Sequence, residues 1–408
     1  MSFYRRGKYW SLVLPFIMFS GGVLLLLTSF FPFTKNTETS LGSNIIKNVE
    51  RPSERPIMLL HQKMMQNIPL LDSALMAWHN NRHLNGAILV ALDTNIIYEE
   101  YLGWADRVKM KKIQPNTSFQ VASISKVFTA ILVLKLVEKN KIRLDDSVQV
   151  YLPDFPYHGI TVRHLLSHQS GLPNYVYALL KKLSECQQPS NQTWYELFIH
   201  SGLKKSSDPG TKFEYCNSNY ALLACLIEKV TGMSYSEFLK KEILEPLGMK
   251  HTFTYPESRE KWNVCYAYTK RGKRQPEDAN DYILGDKGIF STPKDLFAFA
   301  KALHYGNLIK DELYKEATFP QAYEKNKKER AYGLGFRLKN PSDSLMKDIY
   351  HNGWWHGYRS SFHYFPYPGL TIIMMSNELD VHVYYSSVLY ELLMGKERKT
   401  EISAEEEM

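Results

Sequence analysis

Cysteine is scarce. The chain has four, Cys186, Cys216, Cys225 and Cys265, among 408 residues. None stands in a C-x-x-C pair or at zinc-finger spacing, so neither a structural zinc nor a densely stapled small fold has support. Export would permit disulfides, but spacing alone does not pair them. His164 and His168 share the i,i+4 spacing of a helical metal pair, yet no H-E-x-x-H pattern accompanies them. Neither a metal nor an organic cofactor is implied. The net charge is +8, but no long basic run concentrates it. The excess of Lys and Arg reads as a solvated face, and nucleic acid is not an expected partner. No internal repeat appears, which argues against a solenoid.

Charge is missing altogether from Trp10–Phe33. That stretch is long enough to cross roughly 30 Å of hydrocarbon as a helix, and Pro15, Gly21 and Gly22 are tolerable there. Arg5, Arg6 and Lys8 precede it against Lys35 just after. This bias puts the N-terminus in the cytoplasm and the remainder outside, in a periplasmic or extracellular space. A cleaved signal peptide is the alternative, but Phe30, Phe31, Pro32 and Phe33 offer no small-x-small cleavage site. The expected layout is a membrane anchor or signal segment over 1–34, a polar tether over 35–58, a folded domain over 59–395 and a charged tail over 396–408. With 44% hydrophobic residues the domain can bury a large core.

Within it, Met64–Asn80 has helical spacing, and Gly86–Leu92 and Asn95–Trp104 form a hairpin around Asp93-Thr94. From about 142 to 345 the pattern is helices and loops. Thr161 caps one short helix, Thr193-x-x-Glu196 and Ser234-x-x-Glu237 read as capping boxes, Asn217–Thr231 is amphipathic up to Gly232, and Thr292-Pro293 opens a further helix. Asp348–Trp355, Arg359–Phe365 and Leu370–Ser376 then read as an antiparallel meander, closed by a helix over Val381–Leu393. Strands at both ends with helices between them predict an α/β domain of α+β type with an inserted all-α subdomain.

The chemistry centres on Phe119–Lys139. As a helix it is apolar nearly all round, hence buried, and it places Ser123 and Lys126 on one face of its first turn. A lysine at the mouth of a core helix is partly desolvated, and desolvation favours the neutral amine that can act as a base. A hydroxyl and its activator thus lie within four residues. Ser125 has Phe128 three residues on, which is no base. Taken alone, Ser123 also fits a helix cap and Lys126 a surface residue.

Two further elements follow in order, Tyr215-Cys216-Asn217 and His351-Asn352-Gly353. With Ser123-Ile124-Ser125-Lys126 they resemble the serine penicillin-recognising hydrolases, in the branch of class C β-lactamases and serine D-alanyl-D-alanine carboxypeptidases. The stretches 164–175, 209–232, 245–252 and 288–303 strengthen the likeness, which spans roughly 60–395. The resemblance implies a β-lactamase/transpeptidase-like fold, an antiparallel sheet flanked by helices. It implies that Ser123 attacks an acyl carbon, Lys126 takes its proton, and Tyr215 relays a proton to the leaving group. Asn217 would hydrogen-bond Lys126 and a substrate amide. The first meander strand, with His351 and Gly353, would form a cleft wall, and the backbone N–H groups of Ser123 and Trp354 an oxyanion hole. Cys216 has no dedicated base and reads as a packing residue.

Position 351 departs from the lysine that β-lactamases carry. Histidine, with an ordinary pKa of about 6.5, supplies no permanent cation for a substrate carboxylate. Trp354 and Trp355 also stand where small residues are commoner, and their bulk would narrow the cleft. The expected protein is therefore a membrane-tethered serine hydrolase of carboxypeptidase, D-aminopeptidase or esterase type, acting on a small molecule or peptide such as cell-wall D-alanyl material, with β-lactamase activity weak or absent. The alternative is a non-hydrolytic penicillin- or peptidoglycan-peptide-binding or sensor module.

Overall fold

The computed structural model describes residues 54–81, 84–256, 261–269, 271–306, 308–325, 327–379 and 382–396. The expected anchor over 1–34, the tether as far as 53 and the tail beyond 396 lie outside these. No helix among the described residues is long and apolar enough to cross a membrane.

Among the described residues there are thirteen strands: β1 (Gly86–Leu92), β2 (Asn95–Leu102), β3 (Trp104–Asp106), β4 (Lys111–Lys112), β5 (Phe119–Gln120), β6 (Phe253–Thr254), β7 (Ile289–Ser291), β8 (Ala322–Glu324), β9 (Lys327–Tyr332), β10 (Arg337–Lys339), β11 (Asp348–Trp355), β12 (Tyr358–Phe365) and β13 (Leu370–Ser376). The helices are α1 (Glu54–Gln66), α2 (Ile68–Asn80), α3 (Ser125–Glu138), α4 (Val162–Leu166), α5 (Tyr175–Ala178), α6 (Leu180–Ser184), α7 (Asn191–Ile199), α8 (Asn217–Thr231), α9 (Tyr235–Leu239), α10 (Pro293–His304), α11 (Asp311–Ala317) and α12 (Ser386–Leu393). The main sheet has eight strands in the order β2-β1-β13-β12-β11-β10-β9-β8, antiparallel throughout. A small sheet, β5-β7-β6, sits apart from it.

The sheet divides two cores. Successive side chains of a strand point to opposite faces. On β1, Ala87, Leu89 and Ala91 join the larger core with α3, α8 and α10, while Ile88, Val90 and Leu92 join a smaller one with α1, α2 and α12. β13 divides in the same way, Ile373 and Met375 one way, Ile372 and Met374 the other. Strands buried on both faces read as unbroken apolar runs, which is why β1 and β13 were legible.

The structure differs from expectation in several places. α1 begins at Glu54, inside the stretch expected to be tether. The single helix expected over Met64–Asn80 is two helices meeting at Asn67, where Pro69 occupies the first turn of α2. α7 starts at Asn191, because Ser190 and not Thr193 is its cap; Thr193 is the third-residue partner of the box. The helical region ends before residue 345, since β8, β9 and β10 already belong to the main sheet. The helix expected over Val381–Leu393 begins only at Ser386. Three other signals hold: Thr161 caps α4, Ser234 and Glu237 close a box on α9, and Gly232 ends α8 with φ 68°. No disulfide joins any of the four cysteines.

Candidate active site

Ser123 is not the first residue of the long helix. It sits in a separate turn of 3-10 helix, Ala122–Ile124, between β5 and α3. Ala122 has φ 49°, a left-handed conformation that costs a residue with a Cβ and marks a strained turn. The turn leaves Ser123 partly exposed while Ser125 and Lys126 are fully buried. Ser125 is taken up by the fold: its hydroxyl accepts the Ile289 N–H at 3.3 Å. Lys126 is 0% exposed and donates to Ser123 Oγ at 2.9 Å, Asn217 Oδ1 at 2.9 Å and the Asp286 carbonyl at 2.8 Å. In a neutral amine two N–H groups would serve Asn217 Oδ1 and the Asp286 carbonyl, leaving the lone pair toward the Ser123 hydroxyl.

The second wall is the N-terminus of α8. Cys216 caps it in extended conformation, φ −142°, which throws Tyr215 and Asn217 toward Lys126. The half-buried Tyr215 ring has Lys126 Nζ 5.1 Å from its centroid and the Arg337 guanidinium also at 5.1 Å. Cys216 itself is buried, donates to the Leu172 carbonyl at 3.3 Å, and has its pKa pushed up by burial; it is no thiolate nucleophile.

The third wall is β11. A Cβ on Gly353 would stand 2.3 Å from the Val121 carbonyl and 2.2 Å from Ser360 Oγ, so only glycine lets this strand lie against the Ser123 turn. Ser360 Oγ donates to Val121 O at 2.7 Å and Tyr384 Oη to Gly353 O at 2.8 Å, which pins both sides of the contact. His351 is 0% exposed. Its Nδ1 donates to Asn352 O at 2.8 Å, so its Nε2 accepts the Tyr332 hydroxyl at 3.0 Å. Burial, helped by Arg337 and Lys126, holds its pKa well below the usual imidazole value. It is a neutral ring with both nitrogens engaged. Trp354 departs from the expected picture. Its indole is 59% exposed and lies under Arg359 at 5.0 Å, on the face away from Gly353. Alternation along the strand leaves Trp355, not Trp354, as the indole on the site's face. What Trp354 retains is its backbone N–H.

Residues 278–287 close the back of the site. Gly285 O accepts from Thr129 of α3 at 2.7 Å, and Asp286 and Lys287 form a buried pair at 3.0 Å. Lys287 also donates to Tyr175, and its amine lies 4.6 Å over the Trp355 ring. The only histidine–carboxylate group among the described residues close enough to hold a cation is Asp278, Asp281 and His356. Asp281 already accepts from Trp355 Nε1 at 2.7 Å, Gln120 at 3.2 Å, His356 at 3.0 Å and the Asp278 N–H at 2.7 Å. Its lone pairs are spent on the fold, which ties the β11–β12 turn to this loop. His164 and His168 do not act as a pair: the first closes the capping box of α4, and the second turns into the site.

The site thus brings together Ser123, Lys126, Tyr215, Asn217, His351 and Gly353, from three separate parts of the chain. Sequence reasoning missed Arg337, Asp286 and Lys287. Asp286 acts through its carbonyl, which no side-chain pattern announces. Arg337 is one charged residue in the apolar run 331–338, and that interruption was the available clue.

An antiparallel sheet faced by helices, with a serine–lysine pair at the head of the central helix, defines a penicillin-recognising type of hydrolase fold. The Beta-lactamase family model matches residues 70–388, and the chain belongs to that family. It is 32% identical over 320 residues to penicillin-binding protein 4* of Bacillus subtilis, covering 75% of this chain and 70% of that one. It is 29% identical over 281 residues to the D-aminopeptidase of Brucella anthropi, covering 67% of this chain and 52% of that one. Among solved structures, the octameric penicillin-binding protein homologue from Pyrococcus abyssi superposes with TM-score 0.72 at 26% identity, over 84% of this chain and 79% of that one.

Proposed function

We propose that this chain is a serine hydrolase that forms an acyl-enzyme on Ser123 and hydrolyses a small amide or ester, such as a D-alanyl peptide. The observation that carries the reading is the fully buried Lys126 amine, 2.9 Å from a partly exposed serine hydroxyl. Lys126 takes the serine proton, and Asn217 holds the amine and a substrate amide in register. Tyr215 returns a proton to the leaving group and then helps activate water. The backbone N–H groups of Ser123 and Trp354 stabilise the oxyanion. Neutral, fully engaged His351 offers a substrate carboxylate no charge, so efficient β-lactam turnover is not expected. Arg337, beside Tyr215, is already paired with Glu324 at 2.9 Å, so its charge is not free for an anionic substrate end. The relatives named as a penicillin-binding protein and a D-aminopeptidase support a peptide substrate. The uncharged stretch 10–33 supports tethering to a membrane with the domain outside the cytoplasm.

Mass spectrometry after treatment with a fluorophosphonate or a penicillin tests the reading. An adduct on Ser123 that abolishes turnover of p-nitrophenyl acetate is expected. Labelling of Ser123 in a protein that turns over no ester makes it a binding or sensor module instead, and no adduct on Ser123 overturns the assignment.

A further inference from the structure

His168 follows α4 and has φ 57°, a left-handed conformation unusual for a residue with a Cβ. Such strain persists only where the surroundings over-determine it, and it gathers at functional sites. Here it accompanies two contacts with one short segment. The His168 carbonyl accepts the Glu214 N–H at 2.8 Å, and its Nδ1 accepts the Cys216 N–H at 3.1 Å. These are the residues on either side of Tyr215. Nδ1 also accepts from Asn219 Nδ2 at 3.0 Å, and Asn219 in turn takes the Ser170 hydroxyl at 2.5 Å. The ring lies 4.3 Å from the Tyr215 ring, inclined by 37°, with Tyr332 at 4.8 Å behind it.

Because Nδ1 accepts, the neutral ring carries its proton on Nε2. That nitrogen is buried and has no hydrogen-bond partner among the described residues. A polar ring left half-satisfied in the interior is a poor choice for filling space. Burial, followed by Lys126, His351 and Arg337, keeps its pKa well below the ordinary imidazole value, so the acceptor persists at working pH.

We propose that His168 is a positioning residue for Tyr215, holding the Tyr215-Cys216-Asn217 turn in register through its Nδ1 and its carbonyl. The inference rests on the reading of Tyr215 as the proton relay. Lys126 keeps its contacts with Ser123 and the Asp286 carbonyl whatever the turn does, so His168 governs the relay more than the nucleophile.

The test compares His168→Leu, His168→Asn, Tyr215→Phe and the double variant His168→Leu/Tyr215→Phe. The readouts are turnover of p-nitrophenyl acetate and the rate of Ser123 labelling by a fluorophosphonate. Folded His168→Leu should turn over about tenfold or more slowly through deacylation, where Tyr215 helps activate water, since p-nitrophenolate leaves without a proton. Its labelling should stay within about threefold, because fluoride leaves without a proton. The double variant should be no slower than Tyr215→Phe alone. His168→Asn should recover most of the rate, since its Oδ1 takes the place of Nδ1. If His168→Leu does not fold, His168→Asn against His168→Gln decides, because the longer amide reaches past the Nδ1 position. Unchanged turnover in His168→Leu, multiplying losses in the double variant, or Asn no better than Gln would overturn the inference while leaving Ser123 as the nucleophile. The parent reading fails differently, by no labelling of Ser123 in the unmodified protein or by full turnover in Tyr215→Phe, and either result removes this inference with it.

Discussion

A serine–base cluster lies against each face of strands β11 and β12, and the two differ in geometry and access. On the larger-core face stands Ser123, partly exposed, with Lys126 Nζ at 2.9 Å. On the other face stand Ser386, His363 and Asp348, all nearly fully buried. By residue type the second group looks like a serine–histidine–aspartate triad, and His363 Nδ1 does lie 2.9 Å from Asp348. Yet Ser386 Oγ is 3.1 Å from both ring nitrogens. The two nitrogens flank one carbon, so an oxygen equally far from both cannot lie in the ring plane without striking that carbon. It lies over the ring face, where no strong hydrogen bond forms. The adjoining cavity of about 10 Å³ has room for a single water and none for a substrate. A constellation is thus recognised by geometry and access, not by its list of residues.

Four comparisons press on that contrast. Ser123→Ala should lower ester turnover about a thousandfold or more, with the thermal midpoint nearly unchanged, whereas Ser386→Ala should leave turnover within about twofold. Comparable losses in the two, by steady-state assay, would erase the distinction between the faces. Lys126→Ala should slow turnover by about a hundredfold or more. It should also cost about 1–3 kcal/mol in urea unfolding, because Asn217 Oδ1 and the Asp286 carbonyl lose a buried donor. Asp348→Asn on the other face should show in unfolding alone. Gly353→Ala should drive β11 off the Ser123 turn and reduce turnover on the order of a hundredfold, the scale of an ångström's misplacement. A rate near that of the unmodified enzyme would mean the strand does not shape the site. The smallest effect is one of pH. His168 and His351 are neutral in the fold, with pKa values held down by burial. The unfolded chain therefore binds more protons than the native one below about pH 6.5, and stability should fall with falling pH by up to about 1.4 kcal/mol per unit for each histidine. Replacing His351 with Asn should flatten that slope in unfolding curves taken from pH 7 to pH 5.

Much of this was open to inspection before any coordinates. β1, β11, β13 and α8 run over the residues their patterns predict, because strands buried on both faces and an amphipathic helix ended by Gly232 write their periods into adjacent residues. The proximity of Ser123 and Lys126 was readable for the same reason, since three residues of separation constrain both side chains. The break at Asn67 and the cap at Ser190 were missed because several polar residues nearby satisfy the same local rule.

By itself, then, the amino-acid sequence determined most of the main elements, the candidate serine with its neighbouring amine, and the order of three motifs, all of which depend on short-range spacing. The fold alone decided that the Asp286 carbonyl and Asn217 complete the lysine's shell, that Arg337 and His168 flank Tyr215, and that the Trp354 indole faces away from the site. Those contacts join residues far apart in the chain, and burial, strand alternation and close approach of backbones, not spacing, set them.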